Sequence, residues 1–361
     1  MNIVMKKLTE IRVIDLFCGI GGLSNGFVQE GLNVVSGYDC DASCQYAYEI
    51  NNHAKFHNVD ITKVEGEDLN KEFGNCLKIL VGCAPCQPFS PYSFKVKRKD
   101  ETKVNLLYTF SRLIKETQPV IVSMENVPQL VDFDKSSIFS DFCYELKSLG
   151  YNIYYTIVFC PDYGIPQRRK RLVFLASKLG EIELIPKTHT PQNYVTVRDA
   201  IGDLPPISAG EYSSEDPLHR ARKLSPLNLK RIQHTTEGGS WKMWPDDLVL
   251  DCFKKKTGRS YGSVYGRMKW DEPAPTMTTQ CTGLGNGRFG HPEQDRAISL
   301  REAAIFQTFP TDYKFFQSIE TMNPSVICRH IGNAVPPMLG RIIAKSIKQH
   351  LNKYGLWQEK N

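Results

Sequence analysis

The sequence predicts an α/β protein that has a large domain built on a parallel sheet and a smaller, loop-rich second domain. Short apolar runs typical of buried strands alternate with helical patterns from residue 11 to about residue 177. From about residue 186, proline and glycine break the chain into short pieces, and no sustained helical period returns until about residue 299. We therefore expect residues 1–189 and 316–361 to form the large domain and residues 190–315 the small one.

The individual elements follow from these patterns. Strands are predicted at 11–17, 32–39, 77–83, 119–127, 151–160 and 170–177. Helices are predicted at 24–31, 42–51, 105–117 and 137–150. The segment 336–355, with Pro336 and Pro337 at its start, predicts an amphipathic helix long enough to pack back onto the large domain.

Composition excludes several classes of protein. The 361 residues are 41% hydrophobic and 23% charged, which are ordinary globular values and exclude wholesale disorder. Eleven irregularly spaced cysteines are typical of reduced thiols rather than a disulfide framework, so we expect a cytoplasmic protein. No apolar run approaches the roughly 18 residues of a membrane span, and we expect no membrane partner.

The charge pattern permits a polyanionic partner. Lysine and arginine total 45 against 39 acidic residues, a net charge of +6. The basic residues cluster in the knot Arg168–Arg171 and in a segment that contains Lys95, Lys97, Arg98, Lys99 and Lys103. Each cluster alone is more typical of a solvated surface, so charge by itself does not identify the partner.

A glycine-rich turn, CGIGG at 18–22, joins the first strand to the first helix. In a parallel sheet, ligands bind at the carboxyl ends of the strands, where such a turn lets backbone N–H groups approach them closely. Asp39 ends the next strand and Asp60 follows in VDIT, where carboxylates can accept hydrogen bonds from ribose hydroxyls and an adenine amino group. Together these positions predict an adenosine-containing cofactor.

The segment GCAPCQPFS at 82–90 displays a thiol. Cys86 follows Pro85 directly after a strand, at the start of a rigid polar loop rather than in a core element. Cys83 and Cys86 also form a CxxC pair, but no second CxxC or histidine pair lies at metal-ligand spacing, so no metal is expected.

Two further groups point to the same edge of the predicted sheet. Glu125 ends the strand PVIVSMEN, where it is either a buried structural carboxylate or an acid beside Cys86. The run QRRKR begins at Gln167 and precedes a strand, so the alternate side chains of Arg169 and Arg171 are expected to point the same way.

In this order the motifs resemble those of the DNA (cytosine-5)-methyltransferase family. The resemblance spans nearly the whole chain and rests on DLFCGIGG, APCQPFS, MENV, QRRKR, LREAAIFQTFP and GNAVPP. It implies a Rossmann-like S-adenosylmethionine-dependent methyltransferase sheet and a smaller target-recognition domain. It also implies an enzyme of the stand-alone prokaryotic type, from a restriction-modification or orphan methylation system.

Carried over position by position, the resemblance implies two sets of site residues. The cofactor S-adenosylmethionine, which leaves as S-adenosylhomocysteine, is expected at Phe17, Ile20, Gly22, Asp39, Asp60 and Asn333. The catalytic residues are expected to be Cys86 as the nucleophile, Glu125 as the acid, and Arg169 and Arg171. Within the arginine motif, the resemblance implies that Arg168 and Lys170 face outward. Cys40 departs from the family, which commonly has a large apolar or aromatic residue after the acid held here by Asp39.

The implied reaction requires a cytosine that has left the base stack. Carbon 5 of cytosine is a poor nucleophile, so a thiolate first adds to carbon 6, which is inaccessible in stacked DNA. We expect double-stranded DNA as the partner of a monomeric enzyme at the nucleoid, with a cognate restriction endonuclease as a possible genetic partner. The small domain is expected to read the target sequence, with candidates in 258–270 and 278–290 and a gap-filling element in 283–290.

Three alternatives share part of this pattern. A tRNA cytosine methyltransferase would have the same motifs, although this chain lacks the CFT-type signature of that branch. A non-catalytic DNA-binding relative is disfavoured because Cys86, Glu125, Arg169 and Arg171 are all present. A dinucleotide-dependent oxidoreductase would use the glycine-rich turn but not the remaining motifs.

Overall fold

The structure is a computed structural model that describes residues 10–85, 101–132, 138–255, 258 and 260–357. Of residues 101–105 and 132 it describes the backbone alone. The predicted nucleophile Cys86 and the basic positions Lys95, Lys97, Arg98 and Lys99 lie outside the described residues, as does the side chain of Lys103.

The chain forms two compact units. The first comprises residues 1–159, 170–187 and 335–361, and the second comprises 160–169 and 188–334. The bounds of these units differ from those of the functional domains expected from the sequence, because residues 160–169, 188–189 and 316–334 belong to the second unit. The roles assigned to the two domains stay predictions.

A seven-stranded sheet organises the first unit, in the spatial order β3-β2-β1-β4-β5-β7-β6. Its strands are β1 (Ile11–Leu16), β2 (Val34–Asp39), β3 (Lys55–Asn58), β4 (Leu77–Gly82), β5 (Ile121–Asn126), β6 (Asn152–Phe159) and β7 (Lys170–Ser177). The six predicted strands are confirmed, whereas the four-residue β3 was not predicted, because its sequence KFHN carries no apolar alternation.

The pairing is parallel from β3 to β5, and β7 runs antiparallel to both of its neighbours. The reversal follows from chain length, since only residues 160–169 connect β6 to β7. A parallel crossover needs a dozen or more residues, so this short connection produces an antiparallel pair.

Helices surround the sheet. They are α1 (Gly22–Gln29), α2 (Gln45–Asn52), α3 (Gly66–Phe73), α4 (Glu101–Thr117), α5 (Gln129–Asp132), α6 (Ile138–Ser148) and, at the end of the chain, α12 (Pro337–Lys353). The core includes Phe110, Phe142 and Phe174, whose rings lie 6.0 Å and 5.1 Å apart in succession. Burial of these rings and of the aliphatic strand residues stabilises the unit.

The C-terminal helix α12 packs onto the helix that follows the glycine turn. A Cβ atom added at Gly26 of α1 would lie 2.4 Å from the backbone nitrogen of Arg341 and from the carbonyl oxygen of Pro337. Arg341 also pairs with Glu30 at 2.9 Å. The close approach therefore requires glycine at position 26, and it confirms that the last helix returns to the large domain.

The second unit is rich in loops and short helices. Those helices are α7 (Val197–Ile201), α8 (Pro226–Gln233), α9 (Asp251–Lys254), α10 (Leu300–Phe306) and α11 (Pro324–Asn333). Part of its core is aromatic, with the rings of Trp241 and Phe253 stacked at 4.6 Å. A buried ion pair, Arg296 with Glu302, holds the start of α10 through two contacts of 2.7 Å.

Within the described ranges, no helix has both the length and the apolar composition needed to cross a membrane.

Candidate active site

Strand register brings predicted site residues to one edge of the sheet. Leu16 of β1 pairs with Tyr38 of β2 and with Gly82 of β4, and Gly82 in turn pairs with Met124 of β5. The residue after each of these lies at the carboxyl edge, where parallel sheets bind ligands. Those residues are Phe17, Asp39, Cys83 and Glu125.

Glu125 is the centre of a buried polar cluster at this edge. Its side chain is 2% exposed, and its Oε2 accepts a hydrogen bond from the thiol of Cys83 at 2.9 Å. Arg171 Nε lies 2.9 Å from Oε1, but its N–H is not aimed at that oxygen, so the contact is an ion pair without an aligned hydrogen bond. A buried carboxylate requires such partners, because an unpaired charge away from water costs several kcal/mol.

Asn126 fixes the chain that leads to the predicted nucleophile. Its Nδ2 donates to the carbonyl oxygen of Ala84 at 3.1 Å, and its Oδ1 accepts from the backbone N–H of Val127 at 2.7 Å. Ala84 is two residues before Cys86, which lies outside the described residues. The end of β5 thus holds both the predicted acid and the approach to the predicted thiol.

The glycine-rich turn has an unusual backbone. Phe17, Gly19 and Gly21 have φ angles of 60°, 51° and 87°, so every second residue of the turn lies in the left-handed region. A Cβ added at Gly19 would meet no described atom within 4 Å, whereas one at Gly21 would lie 2.2 Å from Asn52 Nδ2. The turn is therefore packed on one side by α2 and open at Gly19, as a ligand cradle requires.

The other predicted residues of the turn differ in exposure. Ile20 and Gly22 are buried, whereas Phe17 is partly buried and packs against the core.

Asp39 holds the turn in place. Its Oδ2 accepts a hydrogen bond from the N–H of Gly19 at 2.9 Å, and its Oδ1 accepts from the N–H of Asp41 at 2.9 Å. Each carboxylate oxygen retains a second lone pair for a ligand hydroxyl. Cys40, the departure from the family pattern, is exposed beside it.

Asp60 is exposed at the start of a 3-10 turn. Its Oδ1 accepts hydrogen bonds from the backbone N–H of Thr62 at 3.0 Å and from its hydroxyl at 2.8 Å. Both hydrogen bonds lower the pKa of Asp60, and the bond from the backbone N–H has the larger effect. Oδ2 has no hydrogen-bond partner among the described residues and is therefore available to a ligand donor.

Asp15 is a buried acid that is not among the residues predicted from the sequence. Its Oδ2 accepts a hydrogen bond from Ser24 Oγ at 2.6 Å, and Ser24 also lies 3.1 Å from Tyr48 Oη. Its Oδ1 is buried and has no partner in the described parts of the chain. Burial and the charge of Asp39, opposed by the hydrogen bond of Ser24, together raise the pKa of Asp15 to about 7.

A sequence signal for Asp15 exists. It lies within the apolar run IRVIDLF, and a carboxylate in a fully buried strand is rare unless it has a partner or a ligand.

The paired arginines make different contacts. Arg171 pairs with Glu125 in the first unit, whereas Arg169 belongs to the second unit and is 3% exposed. Arg169 Nη1 donates to the carbonyl oxygen of Met277 at 3.1 Å, and Nη2 donates to that of Ala334 at 3.5 Å. Arg168 and Lys170 are exposed, as the sequence predicted.

Gln167 belongs to the same buried network as Arg169. Its Nε2 donates to the carbonyl oxygen of Phe306 at 2.8 Å, and its Oε1 accepts from the N–H of Met277 at 3.0 Å. Asn333 is the exposed last residue of α11, two residues before the chain returns to the first unit at Val335.

Two arginines in the candidate sequence-reading segments are bound to backbone. Arg267 is 4% exposed and donates to the carbonyl oxygens of Ile232 and His291, each at 3.0 Å. Arg288 Nη1 donates to the carbonyl oxygen of Gly239 at 2.7 Å. Arg267 is therefore structural. The exposed polar positions that the structure describes in these segments are Ser260, Tyr261, Ser263, Lys269, Thr278, Thr279, Gln280 and Asn286.

Comparison with known proteins gives the family. Residues 11–349 match the model of the C-5 cytosine-specific DNA methylase family. A type II methylase of Herpetosiphon aurantiacus, M.HgiDII, is 55% identical over 340 residues, which cover 94% of this chain and 95% of that protein. The type II methyltransferase M1.BsuMI of Bacillus subtilis is 33% identical, with 92% of this chain and 79% of that protein covered.

The chain belongs to the C-5 cytosine-specific DNA methylase family and is a DNA (cytosine-5)-methyltransferase. The resemblance found in its motifs is thereby confirmed, and membership implies that it uses S-adenosylmethionine and acts on DNA.

Solved structures show the same fold. A protein described as a DNA modification methyltransferase encoded within an E. coli prophage superposes with a TM-score of 0.74 at 24% identity, covering 95% of this chain and all of that one. The Entamoeba histolytica methyltransferase EhMeth gives a TM-score of 0.65 at 16% identity, covering 95% of this chain and 99% of that one. The predicted methyltransferase sheet is confirmed.

Proposed function

We propose that this methyltransferase works through a covalent adduct between Cys86 and carbon 6 of an extruded cytosine. The observation that carries the proposal is the cluster of Glu125, Arg171 and Cys83 at the ends of β4 and β5. Asn126 ties the same edge to Ala84, so the chain enters the Cys86 segment beside the buried carboxylate.

The chemistry divides between the thiol and the acid. Addition of the Cys86 thiolate to carbon 6 forms a C–S bond and moves electron density to carbon 5, with a proton supplied at ring nitrogen 3. Glu125 donates or shares that proton, so it stabilises charge that develops only in the transition state. When bound, S-adenosylmethionine would supply the methyl group to carbon 5 and leave as S-adenosylhomocysteine. Transfer of the carbon 5 proton to a base, with return of the nitrogen 3 proton to Glu125, would then break the C–S bond and release the Cys86 thiolate.

The two arginines have different roles in this proposal. Arg171 keeps Glu125 oriented through the 2.9 Å ion pair and is 16% exposed, so part of its guanidinium can reach the cytosine carbonyl. Arg169 binds the carbonyl oxygens of Met277 and Ala334 within the second unit. We assign Arg169 as a positioning residue.

The residues of the glycine turn fit the cofactor. Three features support this. There is open space at Gly19, and two carboxylate oxygens, Oδ2 of Asp60 and the buried Oδ1 of Asp15, have no hydrogen-bond partner among the described residues. A ligand with hydroxyl, amino and ammonium groups would fill the space and donate to these oxygens. We propose that Asp39 binds the ribose and Asp60 the adenine, while Phe17, Ile20 and Gly22 line the pocket. Asn333 is also proposed as a cofactor-binding residue.

The protein–DNA arrangement follows from the chemistry. The cytosine must leave the duplex, at an unstacking cost of a few kcal/mol. We propose that the second unit reads the target sequence, that the basic segment around Lys97 and Arg98 grips the backbone, and that the enzyme acts as a monomer at the nucleoid. The names of the relatives favour a restriction-modification role with a cognate endonuclease.

The test compares two cysteines. Cys86→Ser should abolish transfer of labelled methyl groups to duplex DNA. Cys83→Ser, which keeps a hydrogen-bond donor for Glu125, should retain most activity. Equal loss in both variants would contradict the assignment of Cys86. Transfer to tRNA but not to duplex DNA would favour the tRNA-modifying branch.

A further inference from the structure

The second unit carries an open groove of about 360 Å³ whose lining is rich in positive charge. Its charged residues are Arg168, Lys269, Glu272 and Arg288, and a glycine, a methionine and two prolines complete the lining. The side chains of Arg168 and Lys269 are 51% and 53% exposed. We call this feature the basic groove.

The basic groove has an unbalanced charge. Three cations share one carboxylate, which leaves two positive charges in excess. Glu272 contacts both exposed cations, with Arg168 Nη2 and Lys269 Nζ each 2.5 Å from one of its oxygens. The hydrogen bond from Lys269, followed by the charge of Arg168, lowers the pKa of Glu272 against the effect of burial. Glu272 therefore acts as an internal anion for this pair of cations.

The backbone around the groove is fixed. The N–H of Arg168 donates to the carbonyl oxygen of Ala274 at 2.7 Å, and the hydroxyl of Thr276 donates to the carbonyl oxygen of Arg168 at 2.8 Å. The neighbours of Arg168 in the chain, Gln167 and Arg169, are buried. The long side chain of Arg168 thus projects from a rigid base, which lowers the entropic cost of binding an anion.

Arg288 is fixed on one side only. Its Nη1 donates to the carbonyl oxygens of Gly238 and Gly239, and its other nitrogens make no hydrogen bond to the described residues. Guanidinium groups with free N–H donors are suited to phosphate oxygens.

We propose that the basic groove binds a backbone phosphate of duplex DNA, which takes the place of Glu272 on Lys269 and Arg168. The proposal rests on the function above and adds the residues through which the second unit contacts the DNA backbone. Backbone contacts position the protein without reading sequence, so their loss should weaken binding to all duplexes alike.

Substitution of the cation Lys269 and substitution of the anion Glu272 should have opposite effects on duplex binding. Lys269→Ala removes a phosphate contact, so it should weaken duplex binding about 3- to 10-fold near 0.1 M salt and reduce the salt slope by about 1. Glu272→Gln removes the competing carboxylate and should tighten binding. General electrostatic attraction to DNA would give the same signs, so the test requires variants of matched charge outside the groove.

A matched control lies one residue away. Arg198 and Asp271 form an exposed ion pair at 2.8 Å in the same unit, and neither residue lines the basic groove. Arg198→Ala and Asp271→Asn change the net charge by the same amounts. If the groove binds the phosphate, their dissociation constants should stay within about twofold of wild type, because general electrostatic attraction is weak at this salt concentration.

The experiment measures binding of the full chain to fluorescent duplexes across a salt series. One duplex contains the target sequence that the enzyme methylates, and the other lacks it. Opposite shifts for Lys269→Ala and Glu272→Gln on both duplexes, with unchanged controls, support the proposal. Weaker binding in both groove variants, no shift in either, or equal shifts in the controls would overturn it.

A second arm tests the source of the phosphate. Inorganic phosphate at matched ionic strength should not displace the duplex from wild type or reduce the difference between the variants. If millimolar inorganic phosphate abolished that difference, the groove would be a free-phosphate site instead. Methyl transfer by the wild type is measured separately. A result that contradicts phosphate binding in the groove is therefore distinguishable from one that contradicts the proposed function.

Discussion

Replacing Asp15 by asparagine should remove a pH dependence of stability that the wild type carries. Asp15 is fully buried, and burial raises its pKa from 3.8 to about 7. The folded chain therefore holds a proton that the unfolded chain releases at lower pH. The stabilising contribution is complete below the unfolded pKa and is lost as pH rises towards 7.

The magnitude follows from the pKa difference. One pKa unit corresponds to about 1.4 kcal/mol, so the full effect is about 4 kcal/mol, of which about 3 kcal/mol falls between pH 5 and pH 8. Asparagine cannot titrate and can still accept the hydrogen bond of Ser24. The difference in unfolding free energy, wild type minus Asp15→Asn, should thus fall by about 3 kcal/mol over that range.

Urea unfolding of both proteins at pH 5, 6, 7 and 8 measures this difference, and other titrating groups cancel in it. A constant difference would refute the account of Asp15. A linked measurement uses S-adenosylhomocysteine, whose ammonium group should favour the charged carboxylate. Calorimetry in two buffers at pH 7 should then show net proton release on binding to wild type and none for Asp15→Asn.

Three further substitutions test other parts of the account. Glu125→Gln should lower kcat about 10²- to 10⁴-fold in labelled-methyl assays while duplex affinity changes little, and an unchanged kcat would remove Glu125 from the chemistry. Asp60→Ala should raise KM for S-adenosylmethionine about 10-fold or more with a smaller change in kcat, and unaltered cofactor binding by calorimetry would contradict the adenine assignment. Gly26→Ala should destabilise the fold by about 2–3 kcal/mol in thermal unfolding, because its Cβ would overlap α12, whereas Gln29→Ala on the exposed side of α1 should cost under about 0.5 kcal/mol.

The parallel part of the sheet and its edge could be predicted from the sequence because the signals are local. Apolar runs such as IRVIDLF and PVIVSMEN identify buried strands, and the residue after each strand must lie at the carboxyl edge. Phe17, Asp39 and Glu125 are placed there by register alone. The reversed direction of β7 is also local, although it requires counting the ten residues 160–169.

Contacts between distant segments could not be predicted. Arg169 and Arg171 are two residues apart, yet one binds the carbonyl oxygen of Met277 and the other pairs with Glu125. No periodicity in the sequence distinguishes the two arginines, because the partner of Arg169 lies in a loop more than 100 residues further along the chain. The sequence likewise does not show that Arg267 is structural. It lies in a segment predicted to read bases, yet its guanidinium donates to backbone carbonyl oxygens.

The most direct test of the central claim is covalent trapping of Cys86. Bisulfite sequencing of DNA from an expressing host first identifies the methylated cytosine. A duplex with 5-fluorocytosine at that position is then incubated with the enzyme and S-adenosylmethionine, since fluorine cannot leave as a proton and the adduct persists. The covalent mechanism predicts a denaturant-resistant complex that digestion and mass spectrometry locate on Cys86. An enzyme that methylates the ordinary duplex but forms no such complex, or forms it on Cys83, would contradict the account.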